Sequence, residues 1–249
     1  MEVSNQDGQS YYNIYKIKIK LIMNFHIVSI FPEIYESFLK TSIINKAIKR
    51  EKININIYNP RELCENKHKQ IDDEIYWVWA WMLIKAKPII DNIENIIKNL
   101  KTNNFKIIYL TPSDKILDQE KVFNYSSFDD IILICGRYEW IDYRFEEYFK
   151  DNYLDKFERL SIWKYILMWW EVASMVFIES VSRIIDWVLW EKESFINESY
   201  APNKENKNIE YPQYTRPQNV YWYTIPEELL SWNHSKIEER KNKNEKRLK

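Results

Sequence analysis

The chain has 249 residues, 45% of them hydrophobic and 29% charged, with a net charge of −1, a length that holds one large domain or a domain plus an appendage. No run approaches the roughly 18 apolar residues of a membrane span, so a soluble protein without membrane contact is expected. Two cysteines, Cys64 and Cys135, and three scattered histidines exclude a disulfide framework and a clustered metal site, and they fit a reducing, cytoplasmic setting.

Residues 1–22 lack the ordered basic, apolar and small-residue regions of a signal peptide. Met23, where a strand pattern begins, is the expected start, and the leader before it reads as upstream translation or a disordered tail. "NFHIVSIF" (24–31) predicts a buried strand, Pro32 to Arg50 a helical stretch, and "ININIY" (53–58) an alternating strand. "HKQIDDEIYWVWAWM" keeps neither period and reads as a long loop. An amphipathic helix (87–101), a strand "FKIIYL" (105–110) and a short helix "LDQEKVFNY" follow. "DIILIC" (130–135) is another buried strand, "RLSIW" (159–163) a last one, and a helix runs from about Glu171 to Ile185. Strands alternating with helices predict a mostly parallel α/β sheet, with ligands at the loops leaving the strand ends. Those loops open as "TPSDK", "GRYEW" and "WKYILMWW". Residues 190–210 are polar and without period, a linker, and 211–249 form a small, mainly helical appendage. From Ser231 onward seven Lys/Arg face three Glu, either a solvated terminal helix with i,i+4 pairs or a phosphate-backbone contact.

Glycine is the anomaly. Ordinary usage is about 7%, yet the chain has two glycines, Gly8 and Gly136, beside eleven tryptophans.

Taken in order, "IFPEIY", "IDDEIYWVWAWM", "YLTPSDKILDQ", "ICGRYEWID", "VSRIIDWVLW", "YPQYTRP" and "LLSWNH" closely resemble the bacterial tRNA (guanine-N1)-methyltransferases of the TrmD family, members of the SPOUT class. The likeness runs over about residues 23–248. Where that family has Y-G-G-G-x-G-M, C-G-R-Y-E-G-I-D, S-I-G-D-Y-x-L-x-G-G-E, P-G-V-L-G and L-L-S-G-N-H, this chain writes tryptophan for glycine. That holds at Trp77, Trp79, Trp81, Trp140, Trp163, Trp169, Trp170, Trp187, Trp190, Trp222 and Trp232, which is every tryptophan present. Independent mutation would not produce such a pattern. A gene in which UGA encodes glycine, translated as if UGA meant tryptophan, would. Genuine tryptophans serving as core anchors or a base-stacking platform are the alternative, but an indole obstructs a loop whose backbone must approach a ligand.

The resemblance implies an α/β domain, 23–189, carrying a SPOUT-type parallel sheet with a deep trefoil knot, then the linker and a C-terminal tRNA-binding domain. It further implies a homodimer acting on tRNA, with S-adenosylmethionine held by three loops. Here these would be Tyr109, Leu110, Thr111 and Pro112; then Gly136, Tyr138, Glu139 and Trp140; then Ile162, Trp163, Lys164, Tyr165, Ile166, Leu167, Trp169 and Trp170. Most of those contacts are backbone hydrogen bonds, and Tyr109 and Leu110 also read simply as strand-end core residues. Lys164 and Met168 depart from the family's Asp and small residue.

Methylating guanine N1 requires removal of the ring proton and stabilisation of charge on O6. The family assigns these to a linker Asp and a helix-end Arg. The Arg carries over as Arg183 in "ESVSRII", although an exposed helical Arg is the plain alternative. The base falls on Glu198 in "SFINESYA", one methylene longer than Asp, with Glu193 as fallback. The expected target is the guanosine immediately 3′ of the anticodon. A divalent ion, Mg2+, assists the family's reaction, but no metal-ligand spacing in this chain places it. Two rivals remain: a non-catalytic SPOUT-fold RNA-binding protein, and a ribose 2′-O-methyltransferase.

Overall fold

The computed structural model of the protein describes residues 22–76, 78–137, 141–186, 188, 211–231 and 233–245, with backbone alone at 78–81, 113–114, 238 and 241–245. The chain divides into two compact units between Trp190 and Glu191. The first begins with β1 (Met23–Val28), a 3-10 turn (Pro32–Tyr35), α1 (Glu36–Leu39), α2 (Ser42–Lys49), β2 (Ile53–Tyr58) and a second 3-10 turn (Pro60–Leu63). Next come β3 (Asp72–Ile75), β4 (Val78–Ile84), α3 (Ala86–Lys98), β5 (Phe105–Ile116), α4 (Gln119–Tyr125) and β6 (Asp130–Cys135). It ends with α5 (Arg144–Asn152), β7 (Phe157–Ser161) and α6 (Trp170–Ser182).

Five strands form one sheet in the order β2-β1-β6-β5-β7, and every pairing in it is parallel. Both faces are covered, as a parallel sheet requires. Alternate residues of β6 divide between the two layers. Ile131, Leu133 and Cys135 meet Val122 and Tyr125 of α4 and Ala173 and Phe177 of α6. Ile132 and Ile134 meet Ile89, Ile93 and Ile96 of α3 and Phe145 and Phe149 of α5. This double coverage is why "DIILIC" is a continuous apolar run, all six residues buried. Edge strand β2 buries only Ile53, which explains its polar alternation. Asp118 accepts a hydrogen bond from the Lys121 amide at 2.9 Å and so caps α4.

Two expectations need revision, and one helix had none. The stretch from Pro32 to Arg50 is three short helices, because the chain breaks at Lys40–Thr41 and Ser42 takes φ 46°. The expected long loop is an antiparallel hairpin, β3 against β4, with Asp73 opposite Leu83 and a register shift between Glu74 and Ile75. Backbone pairing satisfies that segment, so it needs no apolar alternation to be a strand. Helix α5 had no sequence expectation at all. The expectations for the leader and the linker fall outside the described residues.

In the second unit, β8 (Asn219–Val220) and β9 (Tyr223–Thr224) form a tight hairpin, followed by α7 (Glu227–Leu230) and α8 (His234–Glu245). Tyr221 turns the hairpin with φ 55°. Arg240 pairs with Glu228 at 3.0 Å, tying α8 to α7. None of the described residues of this unit is buried.

Candidate active site

All strands of a parallel sheet leave at one edge, and ligands bind there. Since β5, β6 and β7 are neighbours or share β5 between them, their exits lie side by side. Leu110 and Lys115 both pair with Leu160, so Thr111 to Asp114 arch out of the ladder. The "TPSDK" loop expected from sequence is thus an excursion within β5 rather than its end. After β7, Ser161 organises the turn: its Oγ donates to the Trp163 carbonyl at 2.6 Å and accepts from the Trp163 amide at 3.2 Å. An antiparallel bridge between Arg137 and Trp169 then joins the exit of β6 to the end of the β7 loop.

Tyr109, Leu110 and Thr111 are buried and Pro112 is half-buried. The Tyr109 ring packs edge-on against Phe145 at 5.4 Å. Burial pushes its phenol up to about 12, the Ile141 backbone opposing as hydrogen-bond partner. A Cβ on Gly136 would lie 3.6 Å from the Tyr109 ring and 3.7 Å from Ile141, ordinary contact distances, and the residue has no positive φ. Ile162 and Leu167 pack on the core, while Trp163, Lys164, Tyr165, Ile166 and Trp169 are exposed and Trp170 is buried. The structure therefore gathers these three segments at one edge. Tyr138, Glu139 and Trp140 fall outside the described residues, as do Glu193 and Glu198.

Arg183 is elsewhere. It caps the far end of α6 and is exposed, thirteen residues from Trp170, or roughly 20 Å at 1.5 Å per residue.

The sequence reading missed a buried polar network at the same edge. Glu171, in the first turn of α6 and 1% exposed, accepts a hydrogen bond from the Ser29 hydroxyl at 2.6 Å. Burial raises its carboxyl above the usual range, with the Ser29 bond and the Arg137 charge opposing and Glu33 adding. Ser174 donates to the Glu171 carbonyl at 2.7 Å and shares a 2.7 Å hydrogen bond with Tyr35. The available signal was a lone acid opening an apolar helix in "WWEVAS".

Also unforeseen is a cleft of about 1010 Å³ between the β3–β4 hairpin and helices α3 and α5, lined among others by Asp73, Lys85, Lys87, Asp142, Arg144 and Tyr148. The Glu74 amide and the Lys85 ammonium, 3.2 Å away, hold the Asp73 carboxyl below its usual range. Arg144 does the same for Asp142. Both acids are ionised at neutral pH, so the cleft is a polar, mixed-charge surface. Among the described residues no group of His, Cys, Asp and Glu could hold a metal ion. No described helix is long and apolar enough to cross a membrane.

An all-parallel, doubly covered sheet that gathers three strand exits at one edge defines an α/β domain of the kind that binds ligands at the carboxyl ends of its strands. The family profile described as tRNA (Guanine-1)-methyltransferase TrmD matches residues 23–249. A tRNA (guanine-N(1)-)-methyltransferase of Clostridioides difficile is 40% identical over 217 residues, 87% of this chain and 90% of that protein. The one of Mycoplasmopsis pulmonis is 40% identical over 221 residues, 87% and 88% of the two chains. That of Finegoldia magna is 36% identical over 221 residues, 89% of each. The chain belongs to the tRNA (guanine-1)-methyltransferase TrmD family.

Proposed function

We propose that the protein transfers a methyl group from S-adenosylmethionine to N1 of the guanosine immediately 3′ of the tRNA anticodon. Membership of the family supports the reaction and the methyl donor. The observation that carries the site is the meeting of the β5, β6 and β7 exits, two of them joined by the Arg137–Trp169 bridge. In this reading the backbone at Tyr109–Pro112, 136–140 and 162–170 holds the donor. Glu198 removes the N1 proton, and Arg183 stabilises charge developing on O6. The donor supplies an electrophilic methyl; this chain's residues orient it, exclude water and move the proton.

The roughly 20 Å between Arg183 and the exit loops supports catalysis across a homodimer, one subunit supplying the knotted loops and the other Arg183 and the linker. Val172 and Val176, exposed at 43% and 42% on α6 between those two places, are apolar surface suited to such an interface. The basic C-terminal helix contacts phosphates of the anticodon stem. Mg2+ assists, and the reaction takes place in the cytoplasm, where tRNA is.

We also read the eleven tryptophans as glycines in the source cell. Trp163, Trp169 and Trp222 leave 57%, 48% and 81% of their surface in solvent, an unfavourable use of the largest side chain. Among the described tryptophans Trp170 is the exception, fully buried against the core; glycine there would free an indole's volume beside the three loops, where the donor has to fit. Peptide mass spectrometry of the native protein distinguishes the two, and tryptophan at any of these positions would refute the reading.

The functional test is methylation of unmodified tRNA by protein made with glycine at those positions, with the methylated atom mapped. N1 of the guanosine next to the anticodon is expected. Methyl on a ribose oxygen, or tRNA binding without donor binding, would overturn the proposal in favour of a ribose methyltransferase or a non-catalytic RNA-binding protein.

A further inference from the structure

The hydrogen bonds that Glu171 makes do not themselves require an acid. It is 1% exposed in the first turn of α6, where burying a carboxylate works against folding and an amide of similar size would still accept from Ser29. A group kept against that penalty points to a demand other than stability.

Its contacts form a closed circuit around the exit of β6. Glu171 accepts from the Ser29 hydroxyl at 2.6 Å. The same Ser29 oxygen accepts from the Phe31 amide at 3.0 Å, fixing the chain as it leaves β1. The Arg137 guanidinium lies over the Phe31 ring, 5.4 Å from its centre. Arg137 bridges through its backbone to Trp169, two residues before Glu171. From the other side, Ser174 and Tyr35 anchor the Glu171 backbone. Gly136 precedes Arg137, so any shift of Arg137 moves the Gly136 peptide with it.

We propose that Glu171 is a positioning residue for the methyl-donor site: its carboxylate, acting through Ser29 and Arg137, holds the exit of β6 in register with the start of α6. It does not touch the donor itself. The proposal rests on assigning the three exit loops to S-adenosylmethionine.

Glu171→Gln retains an acceptor for Ser29 and removes only the charge. In the full-length protein, its melting temperature should stay within about 3 °C of wild type or rise, while a structural role alone would lower it and leave donor affinity intact. Calorimetric titration with S-adenosylmethionine should show binding about tenfold weaker, because ångström-scale misplacement of a site is expensive. KM for the donor should rise by the same factor with kcat changed less. Arg137→Gln should weaken binding similarly, and the double variant should be no worse than either single one, as expected of groups acting as a unit. Wild-type affinity in Glu171→Gln, or two effects that simply add, would overturn the proposal. Should Glu171→Gln fail to fold, Ser29→Ala carries the same expectation at about threefold, and unchanged affinity there overturns it equally. All variants are made in the chain carrying glycine at the eleven tryptophan positions, and if that parent chain binds no donor the loop assignment itself falls, a different failure.

Discussion

Strand β6 buries all six of its residues, whereas the loop after β7, on the far side of β5, leaves Trp163, Ile166 and Met168 57%, 61% and 71% exposed. The two segments begin about one strand length apart and answer to different demands. In the middle of the sheet, both faces are covered and side-chain volume decides what fits. On the proposed donor site the backbone at the carboxyl edge comes close to a ligand, so side-chain volume there is a hindrance. Large apolar residues in solvent are the informative deviation, and among the described residues Trp163, Ile166, Met168 and Trp169 collect in this one loop.

The sharpest way to break the contrast is to remove chemistry from the edge while leaving the sheet alone. Arg183→Ala and Glu198→Gln should each lower methylation about 10²- to 10⁴-fold in single-turnover assays. Donor affinity should stay within about twofold, since neither residue belongs to the exit loops on this assignment. A loss of donor binding in step with rate would place Arg183 or Glu198 in the cofactor site and dissolve the distinction. Mixing the two variants should leave heterodimers inactive, because on this assignment Arg183 and Glu198 reach each site from the same subunit; recovered activity would place them on different subunits.

Next in size is packing. Leu133→Ala removes a fully buried side chain from the centre of β6 and should destabilise the protein by about 2–5 kcal/mol in urea unfolding. Trp169→Gly, half-exposed at the edge, should change stability by less than about 1 kcal/mol. Comparable losses would mean that the tryptophans are structural, and the glycine reading would fall with them.

How much of this was legible from sequence follows the same division. "DIILIC" announced its strand to the residue, because burial on both faces writes itself as an unbroken apolar run. The β3–β4 hairpin was not legible: its ladder is held by backbone pairing, and Asp72, Asp73 and Glu74 carry no apolar period. The exit loops were found as the ends of the predicted strands, but the ligand proposed for them came only from motifs, since contacts made by the backbone leave almost no side-chain pattern. Ser29 and Glu171, 142 residues apart, could be joined only by the fold. The distance from Arg183 to the loops also became visible only once α6 had its bounds.

The Glu171 carboxyl gives a smaller, pH-dependent effect. Burial raises its folded-state value above the ordinary 4.5, so its contribution to stability is fully present below that pH and is lost as pH rises through the raised value. Ser29 and Arg137 oppose the shift, and Glu33 adds to it. Glu171→Gln has no proton to lose. The melting temperature of wild type relative to Glu171→Gln should therefore fall as pH is raised from about 4.5 toward neutrality. A flat difference would mean that the carboxyl is not desolvated in solution.

The smallest effect expected is at Gly136, the one glycine written as such at this edge. Its φ lies outside the left-handed region, and an added Cβ would rest against Tyr109 and Ile141 at 3.6–3.7 Å. The methyl of Gly136→Ala would thus point into the protein, leaving the opposite face of the peptide free for a ligand. Alanine also narrows the unfolded ensemble, worth about 0.4–1 kcal/mol where the backbone accepts it. Gly136→Ala should be neutral to slightly stabilising in thermal melts, with donor affinity within about twofold of wild type. Gly136→Val, whose extra methyls must displace the buried Tyr109 ring or Ile141, should lose about 1–3 kcal/mol. If alanine alone abolished donor binding, the ligand would have to lie on the Tyr109 side of the peptide, and the arrangement of the three exit loops around it would need to be turned over.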